Sequence, residues 1–180
     1  MNIEISEKQL EDLIMSAPSP KILRYIGLEE NLGLKIRQFN LGSYGIADIV
    51  SIKVQVDKSI TITVFELKKG DLNMQTVSQC ARYIKGIKEY INHHYNTDKT
   101  VIRFRIVLIG KEICDDLRFA CDCFDNMSVY LYNHSINGIY FKLQSLKNDK
   151  AYLPVKNKSI GNYIKSEIVK INNGDYDMPW

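Results

Sequence analysis

The sequence has little of what secreted or membrane proteins depend on. It contains four cysteines in 180 residues, too few for a disulfide scaffold, which favours a reducing compartment. No apolar run approaches the roughly 18–20 residues that cross a membrane. The N-terminal residues also lack the basic segment and apolar core of a secretory signal. We therefore expect a cytoplasmic protein without a membrane partner.

Several common site motifs are missing as well. There is neither a glycine-rich phosphate loop nor a G-x-S-x-G turn, so P-loop, Rossmann and α/β-hydrolase functions are not indicated. Cys114, Cys121, Cys123 and His134 offer no C-x-x-C pair. Since cysteine is commonly a small buried residue, zinc binding is disfavoured.

The composition predicts one folded domain over residues 1–180, because 45% of the residues are hydrophobic and 25% are charged. The formal net charge of +3 is too small to indicate a polyanionic partner. Locally the charge is uneven. Residues 142–170 hold seven lysines and two acidic residues, whereas residues 111–125 hold two basic and five acidic residues. The lysine-rich segment is either solvated surface or a contact for DNA.

Hydrophobic periodicity predicts an α/β protein with a central mixed sheet flanked by helices, an α+β sandwich being the alternative. The order is αβββαβ followed by αββ, with a core at about residues 6–110 and a C-terminal extension at about 111–180. The predicted helices are about Ser6–Ser16, Leu72–His93, Cys114–Phe124 and Ile160–Val169, before a loose tail at Tyr176–Trp180. The predicted strands are about Leu34–Leu41, Ile46–Val56, Ser59–Lys68, Val101–Ile109, Val129–Asn133 and Gly138–Leu143.

Acidic residues fall on the strand faces that should meet the core. Side chains alternate along a strand, which groups Asp48 with Val50 and Glu66 with Val64. An ion pair between Glu66 and Lys68 at a solvated strand end is the ordinary interpretation. The alternative is that the two carboxylates share a divalent cation, which would relieve their repulsion. Oxygen ligands suit Mg²⁺ or Mn²⁺. Lys68 would then hold, or help to deprotonate, an attacking water and stabilise the charge that builds up on a phosphate.

The helix that follows carries a polar stripe beside its apolar face. Gln75, Gln79 and Tyr83 recur every four residues, with Arg82 adjacent. A solvated face is the ordinary interpretation of such a stripe. Its position directly after the strand with the second acid favours a role near that acid. The apolar face of this helix is predicted to consist of Val77, Cys80, Ala81, Ile84, Ile87 and Ile91.

Four segments, taken in their order along the sequence, resemble the PD-(D/E)xK nucleases over about Ser6 to Tyr90. They are an acidic first helix (SEKQLEDLI), G-I-A-D ending at Asp48, E-x-K at Glu66–Lys68, and Q-x-x-x-Y at Gln79–Tyr83. The last is similar to the RecB-like exonuclease and DNA-repair branch. One departure is Ala47, which stands where the family's eponymous proline would be.

The resemblance implies a restriction-endonuclease-like fold and a metal-dependent deoxyribonuclease. It implies that Asp48, Glu66 and the main-chain carbonyl of Leu67 hold Mg²⁺ or Mn²⁺. It also implies that Lys68 orients the water that attacks the phosphodiester. DNA would then be the partner and substrate.

Further site residues follow from the same resemblance. A glutamate of the first helix would complete the catalytic and metal site, and Glu11 fits the family's spacing better than Glu7. Gln79 and Tyr83, with Arg82 beside them, would contact DNA or brace the active-site lysine.

Two other hypotheses stay open. The fold could serve as a non-enzymatic module that binds DNA or a protein partner, with structural acids and no stabilisation by metal. A nuclease acting on RNA or a small nucleotide is the third hypothesis, because no residue discriminates a 2′-hydroxyl. The short chain also suggests a homodimer or a partner as the source of specificity.

Overall fold

The computed structural model describes residues 5–28, 32–97, 99–135 and 138–144. The predicted helix at Ile160–Val169, the tail at Tyr176–Trp180 and most of the lysine-rich segment lie outside these residues. The helices are α1 (Glu7–Ser16), α2 (Pro20–Tyr25), α3 (Met74–His94) and α4 (Asp115–Ala120), with 3₁₀ turns at Gly42–Tyr44 and Cys121–Cys123. The strands are β1 (Leu34–Asn40), β2 (Ile46–Val54), β3 (Ile60–Leu67), β4 (Asp71–Leu72), β5 (Ile102–Gly110), β6 (Glu112–Ile113), β7 (Met127–Ser135) and β8 (Gly138–Gln144).

Six strands form one mixed sheet in the order β1-β2-β3-β5-β7-β8. The β1/β2, β2/β3 and β7/β8 pairs are antiparallel, whereas β3/β5 and β5/β7 are parallel. The parallel β3/β5 pair is connected through α3, as a parallel pair requires a crossover. The predicted α/β class and the αβββαβ order are therefore confirmed. Strands β7 and β8 extend the same sheet beyond residue 110.

Each face of the sheet carries its own apolar cluster. On one face, Leu10 and Ile14 of α1 pack with Ile49, Phe65 and other buried residues. The other face is covered by α3 and α4, whose buried residues pack against the sheet, namely Val77, Cys80, Tyr83, Ile87 and Leu117. No helix among the described residues is both long and apolar enough to cross a membrane.

The helix boundaries follow local chemistry, with several differences from the prediction, among them the predicted Cys114–Phe124 helix, which is α4 followed by a 3₁₀ turn. Ser6 caps α1 through a capping box with Gln9, as the sequence indicates. Pro20 begins α2, a short helix that was not predicted, because proline is well suited to the first helical turn. Asn73 caps α3, so that Leu72 belongs to β4 instead. On α3, Ala81 is exposed and Tyr83 takes a buried position.

The alternation of side chains between the two faces of the sheet is interrupted where the polar residues of β1 and β2 lie. Ala47 and Val50 belong to the cluster under α3, whereas Ile49 belongs to the cluster under α1. Opposite this break, Gln38 has a φ of 48°, a left-handed conformation that is uncommon for a residue other than glycine. The alternation that grouped Asp48 with Val50 is therefore broken at this point of β2, and residues on both faces of the strand are buried.

Strand β1 also holds the end of α1. The Lys35 ammonium donates hydrogen bonds to the carbonyl oxygens of Ile14, Met15 and Ala17 at 2.8, 2.8 and 3.1 Å. These oxygens belong to the helix C-terminus, which lacks intrahelical donors and carries partial negative charge. α1 has no basic residue in its own last turn. Lys35 therefore supplies the missing cation from the sheet.

Replacing Lys35 by Met is expected to destabilise the protein. The substitution keeps most of the aliphatic stem but leaves three carbonyl oxygens without their charged donor, which costs about 1.5–3 kcal/mol in the free energy of unfolding. Urea denaturation measures this as a lower midpoint at unchanged slope. Lys21→Met, at an exposed lysine of α2, serves as the control, and equal midpoints for the two variants would contradict the assignment.

Candidate active site

The ends of β2 and β3 bring the two predicted acids together. The register that pairs Ile49 with Phe65 sets Asp48 beside Glu66. The Oδ2 atom of Asp48 accepts a hydrogen bond from the Leu67 backbone N–H at 2.8 Å. Burial raises the pKa of Asp48, and the hydrogen bond from Leu67 partly offsets this effect. Asp48 is thus fixed against the backbone of the neighbouring strand.

Glu66 is the most demanding group of the site. Its side chain is 1% exposed, and its Oε1 atom lies 2.6 Å from the Lys68 Nζ atom. Its Oε2 atom is buried and has no hydrogen-bond partner among the described residues. Burial, followed by the negative charge of Asp48, raises the pKa of Glu66 to about 7. Ionisation of such a carboxylate is favourable only with a further positively charged partner.

Lys68 directly follows β3, and its side chain is 31% exposed. Burial lowers the pKa of Lys68, but the hydrogen bond to Glu66 and the charges of Glu66 and Asp48 outweigh it. The pKa therefore lies above its ordinary value. The ammonium is charged at neutral pH and held at the rim of the site.

The first helix contributes two carboxylates with different partners. Glu11 is 5% exposed, and both of its oxygens are engaged: Oε2 by Arg37 Nε at 2.6 Å, and Oε1 by the Gln38 amide. Glu7, one helical turn earlier, accepts a hydrogen bond from the Lys69 backbone N–H at 3.1 Å. Glu11, which is predicted in preference to Glu7 as a site residue, therefore already has protein partners for both of its carboxylate oxygens.

The α3 residues predicted at the site differ in burial, and Tyr83 alone among them is buried. Tyr83 is 2% exposed, and its hydroxyl accepts a hydrogen bond from Gln79 Nε2 at 2.5 Å. Gly45, just before β2, has a φ of 104°, and a Cβ there would lie 3.0 Å from the Tyr83 ring. The Tyr83 ring therefore packs against the backbone that leads into β2. Arg82 is exposed.

A cleft of about 360 Å³ opens beside Asp48. It lies between α1 and β1, and its lining residues are Glu7, Lys8, Glu11, Arg37, Gln38 and Asp48. Both charge signs are present along its walls. The cleft gives a ligand access to Asp48 from the side of the first helix.

The donor set fits a small divalent cation. Among the described residues, no three His, Cys, Asp or Glu side chains form a ready-made metal-ligand cluster. Mg²⁺ is commonly held by only one or two carboxylates and keeps several waters. The buried, unpartnered Oε2 of Glu66 and the nearby Asp48 supply two such carboxylates.

Sequence reasoning did not identify Arg37, Gln38 or Tyr132. Tyr132 donates from its hydroxyl to the Lys69 carbonyl at 2.7 Å, which holds the turn after β3. For Arg37 a signal was available, because Lys35 and Arg37 alternate along a strand that follows an acidic helix. The left-handed backbone of Gln38 left no trace in the sequence.

No protein-family model matches the sequence, and comparison with curated proteins finds no match. Among solved structures, the chain is similar to the crystal structure of a repair endonuclease from Pyrococcus abyssi, with 22% sequence identity and a TM-score of 0.46. The similarity covers 72% of this chain and 47% of that chain. The chain therefore spans about half the length of that endonuclease.

Glu66 is expected to make the metal-free protein less stable as the pH rises. Its pKa is about 7 in the folded state, against 4.5 ordinarily, so the folded state binds more protons between these values. Stability therefore falls from about pH 4.5 to about pH 7 and stays low above. Glu66→Gln removes this ionisation while keeping an acceptor for Lys68. In EDTA, the variant should be more stable than the wild type at pH 8 and similar to it near pH 4.5.

Urea denaturation at four or five pH values measures this difference. Glu112→Gln, at an exposed glutamate of β6, is the matched control and should follow the wild-type profile. A difference in stability between Glu66→Gln and the wild type that does not change with pH would contradict the assignment.

Proposed function

We propose that the protein is a metal-dependent DNA phosphodiester hydrolase of the PD-(D/E)xK type. The observation that carries the proposal is the buried Glu66 carboxylate, with one oxygen on Lys68 and the other without a partner among the described residues. A purely structural ion pair would gain nothing from leaving a buried carboxylate oxygen unpaired. The arrangement is understandable when a cation completes it.

Asp48, Glu66 and the main-chain carbonyl of Leu67 are the proposed ligands for Mg²⁺ or Mn²⁺. A bound divalent cation would neutralise charge on the phosphate and lower the pKa of a coordinated water. The protein's own contribution is to hold two carboxylates together at a strand end, where they would otherwise repel each other. The hydrogen bond from Leu67 N–H to Asp48 fixes one of them.

Lys68 is the proposed catalytic cation. Its ammonium can donate to an attacking water and to an oxygen of the phosphate while it stays bonded to Glu66. Its raised pKa keeps it charged at neutral pH, so its role is to orient and to stabilise negative charge rather than to remove a proton.

The α3 residues support this arrangement. Gln79 and Tyr83 form a hydrogen-bonded pair on the helix that covers the sheet over Val64. We propose that Tyr83 maintains the position of β2, while Gln79 and the exposed Arg82 are available to the nucleic acid. DNA is the proposed partner because a phosphodiester matches a centre that combines two acids and a lysine.

Substitution at the site is expected to abolish cleavage without abolishing folding. Asp48→Asn and Lys68→Met should each lower the rate of Mn²⁺-dependent cleavage of single-stranded, duplex or branched DNA at least ~100-fold. Lys69→Met, at the neighbouring exposed lysine, should cleave like the wild type. A gel assay of labelled oligonucleotides measures the rates, and equal rates for the wild type and Lys68→Met would exclude the enzymatic function.

A thermal melt distinguishes the enzyme from a binding module of the same fold. At 100 times its Kd, a metal adds about 2.7 kcal/mol to the stability of the wild type. This gain should disappear in a variant that lacks both Asp48 and Glu66. Binding of DNA without cleavage and without any metal-dependent stabilisation would instead support the non-enzymatic module.

A further inference from the structure

Arg37 is fixed on the wall of the cleft beside Asp48. Its Nε atom lies 2.6 Å from Glu11 Oε2, and its Nη1 atom lies 2.6 Å from Asp12 Oδ1. The side chain is 34% exposed, and its Nη2 atom has no hydrogen-bond partner within the described part of the chain. Two of the five N–H donors of the guanidinium, one on Nε and one on Nη1, are thus held by protein acids, while the donors on Nη2 and the second N–H of Nη1 are available to a ligand in the cleft.

The backbone of β1 is distorted so that two consecutive residues reach the same carboxylate. Neighbouring strand residues normally point to opposite faces, yet Arg37 and Gln38 both donate to Glu11. The φ of 48° at Gln38 breaks the alternation and makes this possible. A backbone conformation of this kind persists only when surrounding contacts enforce it, and it is concentrated at functional sites.

We propose that Arg37 binds a backbone phosphate of the nucleic acid, next to the phosphate that is cleaved, and that Glu11 and Gln38 are its positioning residues. The inference rests on the proposed function and names a substrate contact within it. The planar guanidinium presents paired donors that match phosphate oxygens, and it remains charged at any relevant pH. Lys8, which also lines the cleft, adds a second cation to the same wall.

The proposal gives Glu11 a role through Arg37 instead of through the metal. With both oxygens engaged, its carboxylate acts as a fixed anchor. Glu7 lies one turn earlier on the same helix and contacts the turn that follows Lys68. The two glutamates would therefore serve different parts of the site, Glu7 the catalytic end and Glu11 the binding wall.

The charges of the cleft connect this contact to the metal. Its lining includes three acids and two cations, Glu7, Glu11 and Asp48 against Lys8 and Arg37. Without a divalent cation at Asp48 and Glu66, a phosphate approaching Arg37 also meets these negative charges. We therefore expect DNA to bind more tightly in the presence of a divalent cation than in EDTA.

Binding measurements test the role of Arg37 directly. Fluorescence anisotropy of labelled single-stranded and duplex oligonucleotides in Ca²⁺ gives Kd as a function of salt concentration. Arg37→Ala should weaken binding about 10-fold and reduce the slope of log Kd against log salt by about one. Arg37→Lys should retain part of the affinity, because lysine carries the charge but lacks the planar set of guanidinium donors.

The matched control is Arg103→Ala. Arg103, on β5, is an exposed arginine that also pairs with an acid. Its partner at 3.2 Å is Asp57, in the hairpin that connects β2 and β3 at the end away from the site. This variant should keep the wild-type Kd and salt slope. Urea denaturation of each variant checks that the compared proteins are equally folded under the assay conditions.

Glu11→Gln separates a positioning residue from a metal ligand. If Glu11 is a positioning residue, Glu11→Gln should raise KM and Kd for DNA and leave the Mn²⁺ midpoint of the thermal shift unchanged. A shifted Mn²⁺ midpoint with unchanged Kd would overturn the proposal and return Glu11 to the metal. In cleavage assays, Arg37→Ala should raise KM with kcat within a few-fold of the wild type.

The outcomes distinguish this inference from the function on which it rests. If the wild type neither binds nor cleaves DNA, the proposed function fails, and the inference fails with it. If the wild type binds and cleaves while Arg37→Ala and Arg103→Ala have equal Kd and salt slopes, only the role of Arg37 is overturned. A loss of stability in Arg37→Ala without a change in Kd would likewise reduce Arg37 to a structural ion pair.

Discussion

The buried carboxylate of Glu66 is the constraint around which the site is built. Burial raises the pKa of this carboxyl, and Asp48 on the neighbouring strand makes its ionisation still less favourable. Lys68 compensates for one oxygen only. The protein thus uses the stability of its sheet, buried on both faces, to hold two acids where they are electrostatically costly. This is typical of functional sites, whose pKa values depart from the ordinary ones.

The rest of the fold serves to hold these acids in place. β3 lies in the middle of the sheet, between antiparallel β2 and parallel β5, so that its end is defined from both sides. Tyr132 and Glu7, which lie more than 60 residues away on either side of Lys69 in the sequence, both contact its backbone. The turn that carries Lys68 is therefore held by β7 and α1, and also by β5, because the Lys68 N–H donates to the Ile109 carbonyl.

Much of this architecture could be predicted from local patterns. The Ser6 cap, the six main strands and α3 follow from periodicity and capping chemistry, and the order of acids and lysine pointed to the strand ends where they lie. The left-handed Gln38, the opposite facing of Ala47 and Ile49, and the burial of Tyr83 could not be predicted. Each depends on contacts between distant segments, and alternation along a single strand does not reveal where it will be broken.

The two attachments of α1 to β1 have a geometrical consequence. Lys35 holds the last turn of the helix, and Arg37 holds its middle through Glu11 and Asp12. Together with the buried Leu10 and Ile14, these two attachments along its length hold the helix against rotation about its axis. Glu7 and Glu11 differ by only about 40° around that axis. Since they are also about 6 Å apart along the axis, a helix held in this position presents Glu7 to the Lys69 backbone and Glu11 to Arg37 of β1 at the same time.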